Sequence, residues 1–64
     1  MTVKIVLRDH ESSIPAPISL EDALEQLHLD GELYVVLRNG IAIKSDEILQ
    51  DGDVVRLIPV MIGG

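Results

Sequence analysis

Only one stretch of this sequence places apolar residues at helical spacing. Leu20, Ala23, Leu24 and Leu27 fall at i, i+3, i+4 and i+7 and form a single stripe. The other apolar residues alternate with period two or sit in short β-prone runs. The chain is therefore held to one helix laid across a sheet. Ser19 stands at the helix N-cap, with Glu21 and Asp22 in the first turn, where the positive end of the helix dipole favours carboxylates. Asp22 occupies the place that Glu takes in a full capping box. His28 falls in the last turn, and Gly31 is the expected left-handed terminator.

Strands surround that helix. Thr2 to Arg8 alternates Val3, Ile5 and Leu7 with Lys4, Val6 and Arg8. Asp9 to Ser13 is polar and turn-like, consistent with a hairpin. Pro15 and Pro17 confine a strand over Ile14 to Ile18 to a short edge position. Leu33 to Arg38 is β-prone, and Asn39-Gly40 separates it from Ile41-Ala42-Ile43. Asn-Gly between apolar runs predicts a type I′ hairpin, because both central residues need positive φ. Asp46 to Gln50 reads as a short helical turn pinned by Ile48 and Leu49. Asp51-Gly52-Asp53 reads as a tight turn whose carboxylates satisfy its own amides, and Val54 to Ile58 as the last strand. The order is β-β-α-β-β-β, an α+β chain with a mixed sheet of four to five strands and one main helix.

Length and composition narrow the function. A chain of 64 residues is one domain, spanning 1–64. The core is aliphatic: Tyr34 is the one aromatic residue, with no Phe or Trp. No cysteine is present, which excludes disulfides, thiolate metal sites and an internal Cys nucleophile. His10 and His28 have no paired spacing and are not expected to hold a metal. Glu21, Asp22 and Glu25 read as a solvated helix face rather than acid–base machinery, which needs a dry cleft. The net charge of −6 opposes direct nucleic-acid binding and suits a basic protein partner. No run approaches the ~20 apolar residues that span a membrane, and no signal peptide opens the chain, so a cytoplasmic protein is expected.

The sequence ends in Gly63-Gly64. Glycines have no Cβ and lose the most freedom when fixed, so they are a poor choice for a merely stable end. They suit an α-carboxylate that must enter a narrow channel in another protein. A flexible tail over about 60–64 is expected.

Taken together, Asn39-Gly40, then Leu49-x-Asp51-Gly52-Asp53-x-Val55, then the final Gly63-Gly64, resemble the β-grasp sulfur carriers of thiamine and molybdopterin biosynthesis, relatives of ubiquitin. The resemblance covers the whole chain. It rests on the Asp-Gly-Asp turn directly before the last strand combined with the diglycine end. It implies a carrier and not an enzyme. An adenylyltransferase of the ubiquitin-activating type would adenylate Gly64, with Gly63 letting the backbone approach closely. A cysteine desulfurase or rhodanese-type donor would then deliver sulfur. An acceptor synthase would consume the thiocarboxylate in thiamine, molybdopterin or 2-thiouridine biosynthesis. The partner would use the ATP and Mg, and no cofactor is expected on this chain, which has no Gly-rich phosphate loop. Arg8-Asp9-His10-Glu11-Ser12-Ser13 stands where the thiamine carriers place an Asn-Gly turn. The ending Ile58-Pro59-Val60-x-x-Gly63-Gly64 is more similar to the carriers that feed tRNA 2-thiolation. Rival readings are a ubiquitin-like modifier joined through Gly64 to lysines, and an interaction module without terminal chemistry.

In sheets of that family the first and last strands lie centrally, next to the third. If Arg38 and Arg56 point outward, the open face carries Val6, Tyr34, Val36, Val54 and Ile58. Lys4, Arg8, Arg38 and Arg56 would edge it, four of the five basic residues. Such a patch reads as a partner-docking surface, the competing view being an ordinary half-solvated sheet face. Met61 and Ile62 flank the tail and would either pack on the body or enter the partner's channel.

Overall fold

Alternation and turn chemistry are realised as a five-stranded sheet crossed by one helix in the computed structural model, which describes residues 1–60. The elements are β1 (Thr2–Leu7), β2 (His10–Pro15), β3 (Ile18–Ser19), α1 (Leu20–Gln26), a 3₁₀ turn (Gly31–Leu33), β4 (Tyr34–Arg38), β5 (Ile41–Ala42), β6 (Ile48–Leu49) and β7 (Val54–Pro59). The main sheet runs β2-β1-β7-β4-β5, and β3 pairs with β6 in a small second sheet. β1 and β7 are parallel, whereas β1–β2, β4–β7 and β4–β5 are antiparallel. The mixed sheet and single main helix are those of the β-grasp architecture.

The core forms where one face of the sheet meets α1. Val3, Ile5, Ile14, Val36, Val55 and Leu57 from the strands pack with Leu20, Ala23 and Leu24 from the helix, and Leu49 of β6 closes the set. No polar or charged side chain is buried among the described residues. Leu27, fourth in the helical stripe, is half-buried against this cluster.

The caps explain where the helix sits and stops. The Ser19 hydroxyl accepts from the Asp22 N–H at 3.1 Å, as the sequence predicts. At the other end the left-handed position falls on His28 (φ 58), not on Gly31. The Leu29 N–H donates to the Leu24 carbonyl and the His28 N–H to the Glu25 carbonyl, which makes a Schellman cap. At Gly31 a Cβ would lie 3.2 Å from Leu24 Cδ1, so the leucine methyl would have to give by a few tenths of an ångström.

Two further expectations change. The first hairpin turns on Arg8-Asp9 alone, with Arg8 at φ 57 and Leu7 opposite His10, so His10 to Ser13 is strand rather than turn. This β2 lies at the sheet edge, where Pro15 at its end is tolerated. Asp46 to Gln50 is not a helical turn. Ile48 and Leu49 extend to pair with Ser19 and Ile18, which brings Leu49 into the core and leaves Ile48 exposed. The Asn39-Gly40 turn does form as predicted, with φ of 55° and 79°.

Candidate functional site

The approach to the diglycine is built by β7 and the turn that launches it. Gly52 adopts φ 87 in that turn. The Asp53 carboxylate accepts from the Gln50 N–H at 2.8 Å, and the Asp51 carboxylate from the Thr2 N–H at 2.9 Å. The Gly52 N–H donates to the Thr2 carbonyl, and the Lys4 N–H to the Asp53 carbonyl. Asp51-Gly52-Asp53 thus closes its own turn and docks it on the start of β1.

From there β7 runs through the sheet centre, bonded to β1 on one side and β4 on the other. The last described rung is the Val60 N–H donating to the Leu33 carbonyl at 2.8 Å. Met61, Ile62, Gly63 and Gly64 lie outside the described residues, as does most of the tail expected over 60–64.

The open face of the sheet differs from the expectation in one strand. Val6, Val54, Arg56 and Ile58 point away from the helix as expected, and Lys4 with them. Tyr34, Val36 and Arg38 do not. Val36 is only 6% exposed and lies opposite buried Leu57, so β4 shows its other side to solvent. The outward residues of β4 are Val35, opposite Ile58, and Leu37, opposite Arg56. The physical reason is the fate of Arg38. Its side chain is only 26% exposed: Nη1 donates to the Ile48 carbonyl at 3.1 Å and lies 3.5 Å from Asp53, and Nη2 lies 3.4 Å from Glu47. The ion pairs and the carbonyl hold it on the core side, over β6, and alternation then turns Val36 inward. Arg8 sits in the hairpin turn. Two of the five basic residues, Lys4 and Arg56, therefore mark the face, and Lys4 is paired to Glu11 at 3.3 Å.

The corrected face has an apolar centre. Val6, Arg56 and Leu37 lie side by side across β1, β7 and β4, with Val35 beside Ile58 in the next row. Val54, Val35 and Ile58 are 47%, 43% and 42% exposed, high for large apolar side chains in strands. Sequence reasoning missed Val35 and Leu37 because Leu33 to Leu37 is apolar throughout, and a run without alternation does not announce its face.

The described residues hold no cluster of three His, Cys, Asp or Glu side chains able to bind a metal. No helix among them is long and apolar enough to cross a membrane.

The architecture is shared with several solved structures. Subunits 1 and 2 of the molybdopterin-converting factor from Helicobacter pylori 26695 form a complex, and a chain of that structure matches with a TM-score of 0.72 at 23% identity, covering 100% of both chains. SAMP1 from Haloferax volcanii matches at 0.69 and 22% identity, again over 100% of both. Caldiarchaeum subterraneum ubiquitin matches at 0.63 and 22%, over 100% of this chain and 98% of the other. These likenesses establish a ubiquitin-like β-grasp fold. No curated protein matches the sequence.

The fold places the chain among the small ubiquitin-like β-grasp proteins. The ThiS family model matches residues 2–64, and the chain belongs to the ThiS family. Members of this family are sulfur carriers and not enzymes.

Proposed function

We propose that Gly64 is the sulfur-bearing residue of this carrier. A carboxylate oxygen of Gly64 attacks the α-phosphorus of ATP on a ubiquitin-activating-type adenylyltransferase, and pyrophosphate leaves. The terminal sulfur of a persulfide, supplied by a cysteine desulfurase or rhodanese-type donor, attacks the adenylated carbonyl and AMP leaves. A thiol then cleaves the S–S bond, leaving the thiocarboxylate. An acceptor synthase of thiamine, molybdopterin or 2-thiouridine formation consumes that sulfur and returns the carboxylate. The chain contributes the handle and a docking surface, and its partners contribute the chemistry with ATP and Mg.

The observation that carries this reading is that the family match runs through Gly63-Gly64. The fold agrees with it. β7 is paired with β1 as far as Leu57 and with β4 as far as Pro59, and Val60 is still bonded to the sheet. The four residues beyond Val60 span at most about 14 Å when extended. A partner that holds Gly64 must therefore sit close to the end of β7. The open face with Val6, Val35, Leu37, Val54, Arg56 and Ile58 is the apolar surface adjoining that end, and it is the surface on which we place the activating enzyme.

Incubating the full chain with a candidate activating enzyme, ATP, Mg and a sulfide source, then weighing it intact, tests the reading. The expected product has the mass gain of one oxygen-to-sulfur exchange, localised to Gly64. An unmodified chain with every activating enzyme of the same cell would refute it. The rival modifier role would appear instead as Gly-Gly remnants on lysines of other proteins.

A further inference from the structure

A second surface lies on the helix side of the molecule. The space between α1 and β4 is a groove of about 730 Å³, floored by Leu20, Leu24, Tyr34, Val36 and Ile43. β5 covers only part of the β4 edge: it pairs at Leu37 and Arg38, and the Ile43 N–H adds one bond to the Val36 carbonyl. The chain then leaves, and no strand pairs with Tyr34 on that side among the described residues: its N–H already donates to the Gly31 carbonyl, its carbonyl stays at the edge, and Val35 turns its backbone groups toward β7. The groove therefore joins an apolar floor to an uncovered strand edge. Peptides that extend a sheet use that combination, with main-chain bonds at the edge and side chains in the trough.

The rim has one sign of charge. Glu21, Asp30 and Glu32 surround the groove, and Glu25 follows in an adjoining depression that shares Glu21, Leu24 and Asp30. Only Lys44 opposes them. The ion pairs formed among the described residues join Lys4 to Glu11 and Arg38 to Glu47 and Asp53, so none neutralises these four carboxylates. Two of the rim groups are placed by the turn that follows α1. The Asp30 side chain caps the 3₁₀ turn by accepting from the Glu32 N–H at 2.9 Å, which fixes both residues beside the groove.

We propose that this groove binds an extended, basic segment of a partner protein, laid along the Tyr34–Val36 edge. Apolar side chains of the segment enter over Leu24 and Ile43, and its Lys or Arg side chains reach the rim carboxylates. A second copy of this chain, itself acidic, has the wrong charge, and so does nucleic acid. The groove shares only Val35 with the open sheet face, and its floor and acidic rim lie on the helix side, so a carrier docked by that face still presents them.

The test is an NMR titration of the isotope-labelled full chain. The probe is an alternating Val-Lys peptide of about eight residues, a strand's length, with the matching Val-Glu peptide as control. The Val-Lys peptide is expected to shift the amides of Gly31, Tyr34, Val36 and Ile43, with an affinity that falls as salt is raised. The Val-Glu peptide is expected to leave them unmoved. The E21K/E32K double variant should bind the Val-Lys peptide about tenfold more weakly, a few-fold per exposed pair. E21Q/E32Q should weaken it less and serves where the reversal alters the spectrum of the free protein. Shifts confined to Val6, Val54 and Arg56, equal binding of both peptides, no binding, or unchanged binding by the double variants would each overturn the proposal. So would shifts at the groove that depend on protein concentration without peptide, which would assign it to a second copy.

Discussion

Val35 and Val36 are neighbours in one strand, and the register of β4 assigns them opposite fates. Val36 is 6% exposed and packs in the core, whereas Val35 is 43% exposed on the open face. At 0.05–0.15 kcal/mol per residue, a chain of this length is stable by roughly 3–10 kcal/mol. Val36→Asp gives up about 1.5–3 kcal/mol of side-chain burial. It also places a carboxylate in a core without any polar group, which costs several kcal/mol more whether the charge is buried or neutralised. That sum takes most or all of the stability, so Val36→Asp is expected not to fold. Val36→Ala removes two methylene equivalents and should cost about 2 kcal/mol with its cavity. Val35→Asp leaves the core untouched. It should move stability by no more than ~1 kcal/mol, the span of strand propensity. Urea unfolding followed by circular dichroism ranks the three. A titration against the activating enzyme then shows whether folded Val35→Asp has lost affinity. If Val36→Asp folds with a wild-type midpoint, or Val35→Asp does not fold, the register is wrong. If Val35→Asp folds and binds as wild type, the register stands and docking on this face is refuted.

Other perturbations test other parts. Arg38→Met keeps the aliphatic stem but loses the bonds to the Ile48 carbonyl, Glu47 and Asp53. It should cost about 1–2 kcal/mol and speed hydrogen exchange at Leu49 before that of β1 and β7. His28→Gly relieves a side chain at φ 58 and should stabilise by about 1 kcal/mol, read as a higher urea midpoint. Residues appended after Gly64 should abolish thiocarboxylate formation in the mass assay while leaving the unfolding curve unchanged.

Much of this architecture was legible because local signals and packing agreed. The Ser19 cap, the Leu20–Leu27 stripe and the Asn39-Gly40 turn each have one good structural solution, and each takes it. The Asp-Gly-Asp turn was read correctly for the same reason. Its docking on Thr2 and Lys4 was not visible, since those bonds join residues about fifty positions apart in sequence. The face of β4 was misread because a charge was assumed to seek water. Arg38 finds a carbonyl and two carboxylates instead, supplied by segments near it only in the folded state. The end of α1 was misplaced because glycine is the favoured left-handed residue, and nothing in the sequence shows that Leu24 occupies the space beside Gly31. His28 takes that conformation at a modest cost, repaid by the two bonds of the cap. β6 was missed because two residues carry no period, and its partner Ile18-Ser19 is just as short.

The central position of β7 has a mechanical consequence. A partner that grips the residues beyond Val60 and draws them inward loads this strand along its own axis. Because β7 is bonded to β1 on one side and β4 on the other, that pull acts as shear on two ladders of hydrogen bonds, which must fail together. A terminal edge strand would unzip one rung at a time under the same load. The fold therefore resists a pull along this strand better than it would with the strand at an edge, and the Val60–Leu33 bond is the first described rung to feel the tension.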